Sequence, residues 1–348
     1  MENSTILILL AAIFTHLITH LLVPVNIRFS NRFNIVARPS ERRIHEKVIP
    51  EGGGLSFALP ILIVQMLMGL LVFEGPTGLM LIQLAGVEIL VLIMGLIDDK
   101  FESKALFKFF SQLGIALLMY YIGFRVEFLT NPLGKDFMLG WISLPATIFW
   151  YLAVLNAINL IDGLDGLATG IAVIVCAVLL VVGLREHNLQ VLLLSSLLLA
   201  GTLAFLVYNF HPARIFLGDT GALFIGLNIA AISTAGAEQF KGITSITLMI
   251  PLAVLAVPLI DVVLAVFRRI GMGNIFKADK HHIHHIMLAF GLSQKAISII
   301  VYIVTLLFGL IAIGFSFSSK KVLFSVLLAI SALVVIAAYI FMRQERNK

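Results

Sequence analysis

Charge and cysteine are what this chain has least of. Only 12% of its 348 residues are charged, against 60% hydrophobic, whereas soluble domains carry about 25% charged residues. That shortage excludes an ordinary soluble domain, and with a mean hydropathy of +1.06 the chain reads as an integral membrane protein. The single cysteine, Cys176, falls in the middle of an apolar run, which excludes a disulfide framework and a cysteine-based zinc site. Neither a basic leader nor a small-residue cleavage site flanks the apolar run at 4–23, so a first span is expected there rather than a signal peptide. Internal repeats and low-complexity segments are also missing, and no soluble domain can be cut out. The expectation is one membrane domain over 1–348.

Apolar runs of about 17–25 residues, the length that spans a bilayer as a helix, occur near 4–23, 53–73, 79–97, 105–123, 141–158, 167–184, 189–208, 220–236, 243–266, 296–315 and 322–342. Backbone in lipid must satisfy its own hydrogen bonds, and runs this long do so as helices; a β-barrel would show shorter alternating segments. The expected fold is therefore all-α, a polytopic bundle of about eleven transmembrane helices. Eighteen of the 24 Lys and Arg residues fall on one set of alternating connections, including Arg28, Arg42, Lys100, Lys108, Arg268 and Arg343. By the positive-inside rule that side is cytoplasmic, with the N-terminus outside and the C-terminus inside.

The scarce acidic residues gather at the ends of these runs. Asp98-Asp99 closes the third, the segment Asn156 to Asp165 (NAINLIDGLD) interrupts the fifth and sixth, and Asp219 (FLGDTG) opens the eighth. Carboxylates placed this way should share one polar site at one bilayer surface, the setting of an enzyme at the membrane face. Lys104 and Lys108, four apart, would lie on one helix face. Glu88 and Asp261 lie within spans, where ionisable groups are costly; neither receives a role from the sequence.

These segments carry a resemblance. GLIDDK with Lys104 and Lys108, NAINLIDGLDGLA at 156–168, FLGDTGALFIG at 216–226, ADKHHIHH at 278–285, and Arg38-Pro39, Arg42, His45 and Pro50 to Gly54 resemble the polyprenyl-phosphate N-acetylhexosamine-1-phosphate transferases, glycosyltransferase family 4. Within that family the RxxHxxxIPxGGG loop and the HIHH form are closer to the branch using UDP-GlcNAc and undecaprenyl phosphate than to the phospho-MurNAc-pentapeptide branch. The last two spans carry no motif.

The resemblance implies transfer of GlcNAc-1-phosphate to polyprenyl phosphate with release of UMP, opening a cell-envelope glycan such as lipopolysaccharide or teichoic acid. It implies Mg²⁺ or Mn²⁺ on Asp219 and Asn159, catalytic work by Asp98, Asp99 and Asp162, and lipid-phosphate binding by Lys108 and Lys104. It gives Asn156, Asp165 and Phe216 to the nucleotide, and His282, His284, His285, Arg268, Arg42 and His45 to the pyrophosphate and sugar. The reaction gathers several phosphate charges, and Mg²⁺ suits it because it takes oxygen ligands and usually only one or two from protein. Direct attack and a covalent aspartyl intermediate stay open, as do monomer and homodimer.

Plainer readings stand beside these. Asp219 can be the N-cap of a helix, the lysines topology determinants, Phe216 an ordinary aromatic, and HIHH an interfacial basic patch or a zinc site. An ion-coupled transporter would instead place carboxylates near the midplane of repeated halves, an arrangement this chain lacks. A catalytically silent scaffold would have no need of the acidic motifs.

Overall fold

The computed structural model describes residues 2–38, 48–73, 75–129, 137–235 and 283–315, together with 252, 255, 256, 258–260, 262 and 263. Its helices are α1 (Glu2–Arg32), α2 (Leu55–Leu71), α3 (Gly75–Phe101), α4 (Ala105–Tyr121), α5 (Ser143–Ile161), α6 (Leu167–Arg185), α7 (Leu189–Asn209), α8 (Gly218–Thr234), α9 (Ile283–Ala289) and α10 (Gln294–Phe315). Two antiparallel ribbons of two residues per strand complete the described structure: β1 (Val36–Ala37) with β2 (Ile49–Pro50), and β3 (Phe128–Leu129) with β4 (Phe137–Met138). The protein is all-α and polytopic. Among the described residues six helices are long and apolar enough to cross a bilayer, α1, α3, α5, α6, α7 and α10, while α2 and α4 are apolar at 17 residues each. The span expected over 322–342 and most of the one over 243–266 lie outside the described residues.

Two helices run past the apolar stretches that announced them, and both extensions serve the same end of the bundle. α1 continues through Pro24 to Arg32. Its extension is polar because it holds a loop: the Asn26 amide donates to Gly52 O and Ser56 Oγ, both at 3.0 Å, and Ser30 Oγ donates to Glu51 O at 2.9 Å. α3 is 27 residues long, about 40 Å at 1.5 Å per residue, so Asp98 and Asp99 lie inside its last turn rather than in a turn beyond it.

α8 is the centre of the packing. Every residue from Thr220 to Thr234 is buried, as expected of a helix that is apolar all round. It lies against α3 and α5, while α7 packs on α1 and α6, and α10 on α6. Lipid is as apolar as leucine, so such helices associate through close packing and hydrogen bonds worth roughly 0.6 kcal/mol each. Trp150 Nε1 donates to Ser233 Oγ at 2.8 Å and Tyr151 Oη meets Thr234 Oγ1 at 3.1 Å, bolting the far end of α8 to α5. At mid-depth Glu88, fully buried, accepts from Gln65 Nε2 at 3.0 Å, which links α2 and α3. Glu88 is thus a buried tie between helices. Apolar side chains on α1, including Leu10, Ile13, Leu17 and Leu21, stay exposed on the outer face.

Candidate active site

Six helix ends meet at one surface of the bundle, and each brings a polar group. The end of α3 supplies Asp98 and Asp99, the start of α4 Lys108, the end of α5 Asn156 and Asn159, the turn before α6 Asp162 and Asp165, the turn after α7 His211, and the start of α8 Asp219. Glu102 adopts a left-handed φ of 49° in the short α3–α4 turn, and the chain folds straight back. Asp98 Oδ1 closes that turn by accepting from Ser103 N at 2.8 Å.

Lys108 is the hub. Its Nζ pairs with Asp98 Oδ2 and donates to Asp219 Oδ2 at 2.7 Å. The other Asp219 oxygen, Oδ1, accepts from Asn159 Nδ2 at 2.6 Å. Asn156, one turn earlier on α5, donates to Gln112 Oε1 of α4 at 2.7 Å. Lys104, by contrast, stands at the start of α4 with its side chain exposed.

The N-cap reading of Asp219 is corrected by this geometry. Leu217 precedes the helix, Asp219 lies in its first turn, and its carboxylate faces Lys108 and Asn159 instead of its own backbone. The capping is done from another helix. Asp99 Oδ1 accepts from Asp219 N at 2.6 Å, and its Oδ2 accepts from Thr220 N at 3.1 Å and from Thr220 Oγ1.

The loop between α5 and α6 brings two more carboxylates. Asp165 Oδ2 accepts from Ala213 N at 3.1 Å and lies 2.8 Å from His211 Nδ1, so the 211–213 turn is tied to it. Enclosure by protein raises the Asp162 carboxyl well above the ordinary range, and the neighbouring charges of Glu51, Asp99 and Asp165 raise it further. Asp162 keeps part of its surface open, which moderates the desolvation. Phe216 is half-buried; its backbone continues the β2 loop, with Phe216 N donating to Pro50 O at 2.8 Å and Gly53 N donating to Phe216 O at 2.9 Å.

Four residues of this region were not among those the sequence singled out for the site. Glu51 sat unassigned inside the recognised loop, and His211 in the polar break between two apolar runs. Thr220 sat unassigned inside FLGDTG, and Tyr302 carried no usable signal. Tyr302 comes from α10, a span without a motif, and its hydroxyl donates to Gly166 O at 2.6 Å while Ser298 of the same helix reaches Asp165 O at 3.4 Å. The Asp162–Asp165 loop is therefore held from behind by α10. Arg42, His45, Arg268, His282 and Asp261 lie outside the described residues; His284 and His285 fall in the first turn of α9, but their side chains are outside the description.

A hard divalent cation fits the donor set of Asp219 and Asn159, one carboxylate and one amide oxygen, provided that phosphates and water complete its shell. Among the described residues no group of three His, Cys, Asp or Glu side chains is arranged to hold a metal alone. The arrangement suits a metal that arrives with a phosphate ester.

The chain has relatives among known proteins. The family model described as glycosyl transferase family 4 matches residues 80–237. The chain is 36% identical over 346 residues, 99% of its length and 92% of the relative's, to the probable undecaprenyl-phosphate N-acetylglucosaminyl 1-phosphate transferase of Bacillus subtilis (strain 168). It is 35% identical over 337 residues, 88% of this chain and 81% of the relative, to the decaprenyl-phosphate N-acetylglucosaminephosphotransferase of Mycobacterium leprae (strain TN). It is 32% identical over 330 residues, 88% of this chain and 96% of the relative, to the phospho-N-acetylmuramoyl-pentapeptide-transferase of Halalkalibacterium halodurans.

Proposed function

This chain belongs to glycosyl transferase family 4, and from that membership we propose that it transfers GlcNAc-1-phosphate from UDP-GlcNAc to polyprenyl phosphate, the undecaprenyl ester, yielding polyprenyl-diphospho-GlcNAc and UMP. It is a multi-pass membrane phosphoglycosyltransferase acting on a polyprenyl phosphate. The UDP-GlcNAc donor, the metal and the membrane face are our reading. The observation that carries the reading is the Lys108 ammonium bridging Asp98 and Asp219 with Asn159 on the remaining Asp219 oxygen. That is a cation and an oxygen pair at the membrane surface, facing the two charges a lipid phosphate and a nucleotide diphosphate would bring.

In the reaction an oxygen of the lipid phosphate bonds to the β-phosphorus of the donor, and the bond from that phosphorus to the UMP oxygen breaks. Lys108 draws in the lipid phosphate, with Asp98 holding the ammonium in place. Asp219 and Asn159 would hold Mg²⁺ or Mn²⁺, which supplies charge neutralisation and polarises the phosphorus. Asp162, a carboxyl whose proton affinity is raised, is suited to take a proton from the incoming phosphate. The Asp165 loop and Phe216 border the nucleotide. The cationic bias of the connections supports a cytoplasmic site.

Purified protein given radiolabelled UDP-GlcNAc and undecaprenyl phosphate tests this, with UDP-MurNAc-pentapeptide in parallel and EDTA as the metal control. Label should enter lipid from UDP-GlcNAc alone and only with divalent metal. Transfer from the pentapeptide donor instead would move the chain to the other branch, and transfer in EDTA would remove the metal.

A further inference from the structure

The adjacent carboxylates Asp98 and Asp99 point to different partners. Successive residues of a helix project about 100° apart, and here that angle sends Asp98 to Lys108 and Asp99 to the N-terminus of α8. Asp99 takes three hydrogen bonds there, from Asp219 N, Thr220 N and Thr220 Oγ1. These backbone groups are among those a helix leaves unpaired at its start, and a carboxylate there also meets the positive end of the helix dipole. The surrounding sequence is shaped to admit it. Gly218 adopts a φ of +71°, and a Cβ on it would stand 2.6 Å from Asp99 Oδ2. On α3 itself, a Cβ on Gly95 would stand 2.7 Å from Thr220 N. α8 is bolted to α5 at its far end, while its near end is held by Asp99 of α3, with Gly53 N and Gly54 N on the carbonyls of Phe216 and Leu217 just before it.

We propose that Asp99 is a positioning residue: it caps α8 from α3 and thereby aims the Asp219 carboxylate at Asn159 and Lys108, while Asp98 alone of the pair serves the lipid-phosphate side. The proposal rests on the transferase reading for the role of Asp219, and it removes Asp99 from the groups that exchange a proton with the nucleophile. It also fills the start of α8, a natural phosphate site, with a carboxylate of the protein. Thr220 enters as the second half of the device, through its hydroxyl.

The test uses full-length protein in nanodiscs with Asp99→Asn, Asp99→Ala, Thr220→Val and Asp98→Asn. Amide hydrogen exchange across 217–222 reads the cap directly, Mn²⁺ titration by EPR with UDP present reads the metal site, and kcat against pH reads the proton chemistry. Asp99→Asn, Asp99→Ala and Thr220→Val should each speed exchange at 219–220 about tenfold or more and weaken Mn²⁺ about tenfold. Residual turnover should keep the wild-type pH profile, and Asp98→Asn should leave both exchange and Mn²⁺ affinity near wild type. Unchanged exchange in Asp99→Ala and Thr220→Val overturns the cap. Normal Mn²⁺ affinity in Asp99→Asn with loss of a limb of the pH profile overturns the positioning role and makes Asp99 a base. If Asp99→Ala does not fold, Thr220→Val and Asp99→Asn decide. If the wild type transfers nothing from UDP-GlcNAc, the functional reading falls, and exchange with Mn²⁺ affinity still decides the role of Asp99.

Discussion

Gly95→Ala should disable the enzyme without altering a single polar group. A Cβ at that position would stand 2.4 Å from Thr220 Cα and 2.7 Å from Thr220 N, both backbone atoms that cannot rotate aside. Comfortable carbon contacts begin near 3.5 Å, so α3 and α8 must part locally by about 0.8–1.1 Å. The bonds from Asp219 N and Thr220 N to Asp99, now 2.6 and 3.1 Å, would stretch to about 3.4–3.7 and 3.9–4.2 Å, and the longer would leave hydrogen-bonding range. Overpacking costs about 1–3 kcal/mol, so the bundle should still fold, with Asp219 displaced from Asn159 and Lys108. Misplacements of this order cost up to about 10²-fold in rate. Gly86→Ala is the control, since a Cβ there meets nothing within 4 Å on the same helix. The assay is the initial rate of label transfer to lipid at saturating substrates, with thermal unfolding in parallel. Gly86→Ala should stay within about twofold of wild type. If Gly95→Ala transferred at a near-normal rate, the close α3–α8 contact would not position the site and the reasoning would fail.

Lys108→Ala should raise KM for polyprenyl phosphate, and Phe216→Ala KM for UDP-GlcNAc, each by about tenfold; rates against each substrate with the other saturating check this, and the opposite pattern would exchange the two halves of the site. Tyr302→Phe removes the donor to Gly166 O, a bond worth about 0.5–1.5 kcal/mol; it should weaken UDP-GlcNAc by about two- to tenfold, and an unchanged nucleotide KM would dismiss α10 as a support. The Asp162 carboxyl is raised in the folded protein by enclosure and by Glu51, Asp99 and Asp165, so the fold binds its proton more tightly than the unfolded chain does, and stability is lost as pH rises above the ordinary carboxylate value of about 4. Asp162→Asn without divalent metal should therefore raise Tm at pH 7, with the gain shrinking towards pH 4, and should abolish transfer; an equal Tm at both pH values would dismiss the shift.

Much of this was legible in the residues. The spans follow from apolar runs too long for anything but helices in lipid, and the gathering of Asp98, Asp99, Asn159, Asp162, Asp165 and Asp219 at one surface follows from their place at the ends of those runs. What escaped was direction. In the linear chain Asp98 and Asp99 are equivalent neighbours, and only the crossing of α3 over α8 separates them into an ion-pair partner and a cap. Asp219 in GDTG has the composition of an N-cap, yet that role passes to a residue 120 positions earlier, which no local pattern reports. Tyr302 sits in a uniformly apolar run, and its contact with Gly166 depends on α10 packing beside α6. The polar tail of α1 was unreadable as helix because hydropathy marks where lipid ends, and Asn26 and Ser30 carry the helix beyond it to hold the 51–56 loop.

The distribution of charge in the assembled site narrows where added cations can act. Unit charges about 4 Å apart interact by about 4 kcal/mol at an effective dielectric of 20, so a cluster of carboxylates must be divided among partners. Asp99 is answered by the α8 terminus, Asp98 by Lys108 and Ser103 N, and Asp165 by Ala213 N with His211 beside it. Asp219 must share Lys108 with Asp98. Asp162 has no comparable partner among the described residues, and enclosure first, then the charges of Glu51, Asp99 and Asp165, raise its proton affinity. The negative charge left shared rather than answered is thus that of Asp219, beside Asn159 in the last turn of α5. A divalent cation entering with the nucleotide diphosphate would meet its strongest attraction there. Asp219 and Asn159 would hold that cation, and Lys108, paired with Asp98 as well, would keep its charge for the lipid phosphate.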